Sequence, residues 1–95
     1  MTDILSFEKI TYPSQFNEGE LYVITHNDYK CIVKVVSIDG KYIGLEDIFI
    51  IQDKAAPHAL MTWTFHPLDF KTHNVFATKY SELKQVQETH PELFL

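Results

Sequence analysis

The sequence predicts a small, mostly β domain, a five-stranded barrel with a short N-terminal segment and a short C-terminal helix. Residues 20–51 contain three runs rich in β-branched and aromatic side chains, and turn-forming residues separate the runs. Within residues 59–66, apolar and polar side chains alternate with the period of a half-buried strand. Residues 74–79 form one more short apolar run, which supplies the fifth strand.

The first three strands are predicted to form an antiparallel meander. Their runs cover residues 21–25, 29–38 and 41–51. Asn27-Asp28 separates the first pair, and Asp39-Gly40 separates the second with the strongest hairpin signal in the chain, because glycine tolerates the positive φ of such turns. Gly44 lies inside the third run, where a glycine indicates a bulge or a bend.

The segments before and after the barrel are predicted to form separate elements. Residues 4–10 suit either a short helix or an extended arm before Tyr12-Pro13. Ser81 is a good N-cap residue in front of an amphipathic pattern, so we predict a helix over 81–90. Residues 1–95 are predicted as a single domain, with the barrel over about 19–79.

The charge balance limits the classes of partner. The net charge is −5, and all eight basic residues are lysine. Arginine supplies the bidentate contacts that grip phosphates and guanine edges, so duplex DNA is not an expected partner. Single-stranded RNA remains possible, because base stacking carries more of its affinity. No basic leader and no long apolar run is present, and we expect a cytoplasmic protein without a membrane segment.

Motifs for catalysis or cofactor binding are absent from the sequence, so we expect a non-enzymatic protein without cofactor or metal. His66 and His73 flank one loop, but no nearby cysteine completes a zinc site. Cys31 lies among valines and isoleucines and is predicted to be a buried structural thiol, and as the one cysteine it excludes an internal disulfide. Glu46-Asp47 is expected to face solvent at a sheet edge, with the two side chains on opposite faces.

The second and third strands are apolar on both faces, whereas a half-solvated sheet alternates apolar with polar residues. Two explanations remain open. Terminal helices cover the outer face, or another subunit does so by pairing along the edge strands.

Residues 19–53 resemble the first half of the Sm and Sm-like family. The resemblance rests on GELYVIT from Gly19, the Asn27-Asp28 turn and the stretch CIVKVVSIDGKYIGLED, in which the family's loop aspartate falls on Asp39. The family's base-contacting asparagine falls on Ile43, which cannot make that contact. The resemblance implies a bent-sheet barrel of the Sm-like or SH3-like kind, whose copies join edge to edge into a ring that binds RNA. A stand-alone ring of phage or viral type would suit the small size.

On this hypothesis the protein is a homo-oligomeric ring that binds single-stranded RNA, and four residues are the candidate contacts. Tyr42 would stack on a base and Lys41 would neutralise a phosphate. His73 would stack or donate a hydrogen bond, and Asn74 would bond a base edge. Trp63 and Phe65 form an aromatic stripe that suits either base stacking or the core.

A second hypothesis comes from the acidic balance and the apolar tail Leu93-Phe94-Leu95. The chain would be a small acidic SH3-like protein-interaction module that masks or inhibits a protein partner. Its charge would favour a partner with a basic surface.

Overall fold

The computed structural model describes residues 7–53 and 59–94, which form a six-stranded antiparallel sheet and a short C-terminal helix. The strands are β1 (Glu8–Ile10), β2 (Leu21–His26), β3 (Tyr29–Asp39), β4 (Tyr42–Asp53), β5 (Thr62–Phe65) and β6 (Asn74–Ala77), and the helix is α1 (Leu83–Thr89). Short 3-10 helices occupy Pro13–Gln15, Pro67–Lys71 and Pro91–Phe94. Parts of the predicted N-terminal segment (1–6), of the predicted loop (54–58) and of the tail (Leu95) lie outside the described residues.

The sheet corrects the predicted five-stranded barrel in two respects. Its strand order is β1-β6-β2-β3-β4-β5, so it has six strands and stays open in the described residues. The additional strand comes from the N-terminal segment, where Lys9 pairs with Phe76 of β6. At the other edge β5 pairs with β4, as in Ile43 opposite Phe65. The mostly β class, the β2–β3–β4 meander and the C-terminal helix are confirmed.

Two tight turns connect the meander, and each carries a residue with positive φ. His26 pairs with Tyr29 across the first turn, where Asn27 has φ 52°. Gly40 has φ 62° in the second turn, which the pair Asp39–Tyr42 closes. Asparagine and glycine tolerate this left-handed conformation best, and two-residue hairpin loops require it.

A bulge bends the long β3–β4 hairpin. Val35 pairs with Leu45 and Ser37 with Gly44, so Val36 is an additional residue on β3. A Cβ on Gly44 would overlap the Ser37 hydroxyl. The predicted irregularity therefore lies opposite Gly44, where a larger residue would require the Ser37 side chain to change its rotamer.

Apolar side chains are buried on both faces of the sheet. One core lies on the face that carries Tyr22 and Ile24, and it also contains Cys31, Val33, Val35, Ile43, Leu45, Phe65 and Val75. The second core lies on the opposite face and contains Phe7, Leu21, Val23, Ile32, Phe76, Val86 and Leu93. Successive strand residues point to opposite faces, which explains why neighbours such as Leu21 and Tyr22 belong to different cores.

The C-terminal segment covers the second core. Val86 of α1 and Leu93 of the last 3-10 helix are buried there. The chain before α1 is tied to β2, because the Leu21 N–H donates to the Tyr80 carbonyl at 2.8 Å and the Thr78 hydroxyl donates to the Leu21 carbonyl at 2.8 Å. The terminal helix therefore explains the burial of Ile32, whereas Val36 and Ile38 of β3 remain 43% and 41% exposed.

Replacing Leu93 tests whether the C-terminal segment covers the second core. Leu93→Ala should lower the free energy of unfolding by about 2–5 kcal/mol, because it removes a buried side chain and leaves a cavity. Gln87→Ala is a matched control on the exposed side of α1 and should change stability by less than about 0.5 kcal/mol. Urea unfolding followed by circular dichroism measures both. Equal small effects would mean that the C-terminal segment is not docked in solution.

Candidate functional site

A pocket of about 300 Å³ opens beside strands β4 and β5, and we call it the aromatic pocket. Its lining consists of His26, Tyr29, Asp47, Met61, Trp63 and His73. The strand register brings them together, because β5 pairs with β4 next to Asp47 and the β2–β3 turn supplies His26 and Tyr29. Pockets of this volume are at the small end for ligand sites, which suits a single side chain better than a large cofactor.

Asp47 is the one carboxylate in this lining, and it is only 5% exposed. Its Oδ1 accepts the indole N–H of Trp63 at 2.9 Å, and its Oδ2 accepts the backbone N–H of Met61 at 3.1 Å. The Asp47 N–H donates in turn to the Met61 carbonyl at 2.8 Å. Burying an ionised carboxylate is costly unless hydrogen bonds compensate, and these bonds compensate it while holding Trp63 in place.

Three rings form a connected wall. The imidazoles of His26 and His73 stack with their centroids 4.3 Å apart and a 23° angle between planes. The centroid of Trp63 is 6.2 Å from that of His73. The Thr72 hydroxyl lies 2.9 Å from Nδ1 of His73 and fixes the edge of that ring. Each ring is therefore held by a neighbour or a hydrogen bond before any ligand arrives.

Burial also changes the pKa values of Tyr29, which lines the pocket, and of Cys31, which is hydrogen-bonded to it. Burial raises the pKa of Tyr29 well above its ordinary value, and the hydrogen bond with Cys31 and the charges of Asp47 and Asp53 act in the same direction. Burial raises the pKa of Cys31 to about 12. At neutral pH both groups keep their protons, so Cys31 has the character of a buried structural thiol.

A second cleft of about 400 Å³ adjoins the aromatic pocket and shares His26 and Tyr29 with it. Two carboxylates, Asp28 and Asp53, belong to its lining. A third cleft of about 520 Å³, between β1 and the C-terminal segment, contains the ion pair Glu8–Lys79 at 3.0 Å, so its charges balance. The aromatic pocket and the adjoining cleft together contain the carboxylates of Asp47, Asp28 and Asp53.

Lys41 and Tyr42, two of the predicted RNA contacts, lie at the tip of the β3–β4 hairpin. Tyr42 is 46% exposed, and Nζ of Lys41 is 6.0 Å from the centroid of its ring. The Tyr42 ring also approaches His66, with centroids 5.3 Å apart. The structure thus brings a cation and an accessible aromatic face together at this tip.

The other two predicted contacts, His73 and Asn74, lie at the start of β6. His73 belongs to the aromatic pocket, and Asn74 pairs with Thr25 of β2 and is exposed. The rings near His73 are those of His26, Trp63 and Phe65, whereas the ring near Tyr42 is that of His66. The four predicted residues therefore fall into two pairs with different neighbours.

Sequence reasoning missed Asp47, because Glu46-Asp47 was expected to be solvated. The two side chains do point to opposite faces, but only Glu46 is exposed and Asp47 is buried. Trp63 packs against the first core, as one of its two predicted roles required, and it also lines the pocket. The signal that would have found the site is the register of β5 on β4, which no local pattern supplies.

The described ranges 7–53 and 59–94 contain neither a metal-binding cluster nor a membrane-spanning helix. No group of three histidine, cysteine, aspartate or glutamate side chains there is placed to hold a metal ion. No helix in the same ranges has the length and apolar character needed to cross a membrane.

Comparison with known proteins gave no match to a family model, to a curated protein or to a solved structure.

The stacked histidines predict a pH dependence of stability. Burial lowers the pKa of His73, and the charge of His26 lowers it further, against an opposing contribution from Asp69. The unfolded chain binds this proton near the ordinary value of about 6.5. The stability due to neutral His73 is therefore complete above about pH 6.5 and is lost as the pH falls from there through the lower folded value.

Urea unfolding at several pH values measures this dependence. In His73→Gln the loss of stability on acidification should be smaller than in the parent protein. In a companion variant, His26→Gln, NMR titration of the His73 ring should give a pKa closer to the ordinary one. An unchanged pH profile in His73→Gln would contradict the assignment.

Proposed function

We propose that this chain is a non-enzymatic protein-interaction module that binds a basic segment of a partner protein and seats one cationic side chain in the aromatic pocket. The observation that carries the proposal is the buried carboxylate of Asp47 in a pocket whose walls are the rings of Trp63, His73 and Tyr29. A negative charge and aromatic faces both attract a cation, and both become stronger where water is excluded.

The surrounding charge supports the same partner. The net charge is −5, and Asp28 lines the cleft that adjoins the pocket. Such a field accelerates the approach of a basic surface and opposes the approach of phosphates. A lysine-rich or arginine-rich segment can therefore place one side chain in the pocket and its neighbours along the acidic cleft.

A matched pair of charge insertions tests this site. Met61 and Leu60 are neighbours, are 54% and 58% exposed, and differ in that Met61 lines the pocket. Met61→Lys should weaken binding of a hexalysine peptide about tenfold, because the new cation competes at the pocket while the Met61 backbone bonds to Asp47 remain. Leu60→Lys adds the same charge outside the pocket and should have a smaller effect. Isothermal titration calorimetry measures both affinities.

The controls in this experiment separate site binding from general attraction. Hexaglutamate should not bind, and added salt should weaken hexalysine binding. Equal effects of Met61→Lys and Leu60→Lys, or no hexalysine binding at low salt, would overturn the proposed function.

Binding of single-stranded RNA by an Sm-like ring is the second candidate. The specific observation in its favour is the hairpin tip, where Tyr42 is exposed and Lys41 lies beside its ring. It has two disadvantages relative to the first candidate. The chain is acidic, and the C-terminal segment already covers part of the apolar surface that a ring neighbour would otherwise cover. We therefore rank it below the protein-interaction module.

Variants at the hairpin tip test the second candidate. If it holds, Tyr42→Ala should weaken binding of a uridine-rich oligonucleotide by the loss of one stacked base, worth about 1–3 kcal/mol. Lys41→Ala should make binding less sensitive to salt. Fluorescence anisotropy measures the affinity, and light scattering after gel filtration measures whether a ring forms. No oligonucleotide binding, or unchanged affinity in both variants, would remove this candidate.

A further inference from the structure

We propose that the aromatic pocket selects a methylated lysine side chain over unmodified lysine. This inference rests on the proposed function, because it names the kind of cation that the pocket takes from the basic partner. The geometry that points to it is a pocket that combines a buried carboxylate with aromatic rings, and each oxygen of that carboxylate already accepts a hydrogen bond within the protein.

The carboxylate is the first engaged acceptor. One oxygen of Asp47 accepts the indole N–H of Trp63 at 2.9 Å, and the other accepts the Met61 N–H at 3.1 Å. Its charge still acts on a ligand in the pocket, but a ligand N–H donor would have to share oxygens that are already in use. A primary ammonium brings three donors that need acceptors, and a trimethylated ammonium brings none.

Several other polar atoms of the lining have partners within the protein as well. Nδ1 of His73 is 2.9 Å from the Thr72 hydroxyl, and Nε2 of His26 is 3.5 Å from the Asn27 amide nitrogen. The Tyr29 hydroxyl is hydrogen-bonded to the thiol of Cys31. Lysine entering this pocket would have to compete with these existing bonds to replace the hydrogen bonds that it makes to water, which is costly. A methylated ammonium avoids most of this cost.

The walls supply the attraction that a methylated ammonium can use. Tryptophan is the best ring for a cation–π contact, and Trp63 is held in orientation by Asp47. Donation of its N–H to a carboxylate polarises the indole toward higher electron density, which strengthens the attraction of a cation to the ring. Met61 adds an exposed thioether at the rim, which contacts methyl groups favourably.

The histidine pair is compatible with a cationic ligand at neutral pH. His73 is stacked on His26 at 4.3 Å, and two charged imidazoles at that distance would repel each other and the ligand. Burial lowers the pKa of His73, so its ring is neutral above about pH 6.5 and presents a face without positive charge. The wall therefore remains attractive to a cation under physiological conditions.

Three small probes test the selection: the Nα-acetyl amides of trimethyllysine, of unmodified lysine and of the neutral analogue in which a tert-butyl group replaces the trimethylammonium group. Trp63 is the one tryptophan in the chain, so its fluorescence reports directly on the pocket. We expect trimethyllysine to bind about tenfold more tightly than lysine and several-fold more tightly than the tert-butyl analogue. Met61→Lys should abolish the fluorescence change, and Leu60→Lys should retain it.

Every other outcome contradicts the preference for methylated lysine, and the outcomes can be told apart. Equal affinity for lysine and trimethyllysine, with hexalysine still sensitive to Met61→Lys, would leave the proposed function standing without the preference for methylation. Equal affinity for trimethyllysine and its tert-butyl analogue would show that contact area and not charge is recognised. No binding of trimethyllysine by fluorescence or calorimetry would overturn the selection, and loss of hexalysine binding as well would overturn both proposals.

Discussion

The attachment of β5 to β4 through Asp47 is the interaction on which the binding surface depends. The strand is short and lies at the edge of the sheet, with pairing to β4 over Thr62–Phe65. Asp47 extends this pairing by a backbone bond to Met61 and by two side-chain bonds, one of them to the indole of Trp63. The same carboxylate thus secures an edge strand, orients an aromatic wall and places a negative charge in the pocket that this wall encloses.

The rest of the fold leaves that surface available. The C-terminal segment fills the second face of the sheet with Val86 and Leu93, and β1 and β6 extend the sheet beyond β2. Within β3, Ile32 is buried in this way, whereas Val36 and Ile38 remain 43% and 41% exposed. The surface that remains accessible near β5 combines rings, a thioether and carboxylates, which is a composition suited to a cationic partner.

The two candidate functions differ in the sign of the charge that they require. RNA binding needs cations along a phosphate backbone, and the hairpin tip offers Lys41 beside Tyr42 in a chain of net charge −5 without arginine. Binding of a basic segment uses the acidic balance directly, and the pocket adds aromatic faces that a cation can contact. For this reason the pocket, and not the hairpin tip, carries the proposed function.

Local sequence signals determined the class and much of the meander. The Asn27-Asp28 and Asp39-Gly40 signals marked real turns because tolerance of positive φ is a property of the residue itself. The predicted C-terminal helix exists, but it begins at Leu83 and its N-cap is Glu82, not Ser81. Tertiary structure decided the rest. Glu8–Ile10 became a strand because β6 offered it an edge, and the sheet stayed open since β5 pairs with β4 while β1 pairs with β6. Asp47 was buried and Trp63 oriented by strand register, and register depends on packing across strands that are distant in sequence, which no local pattern of residues encodes.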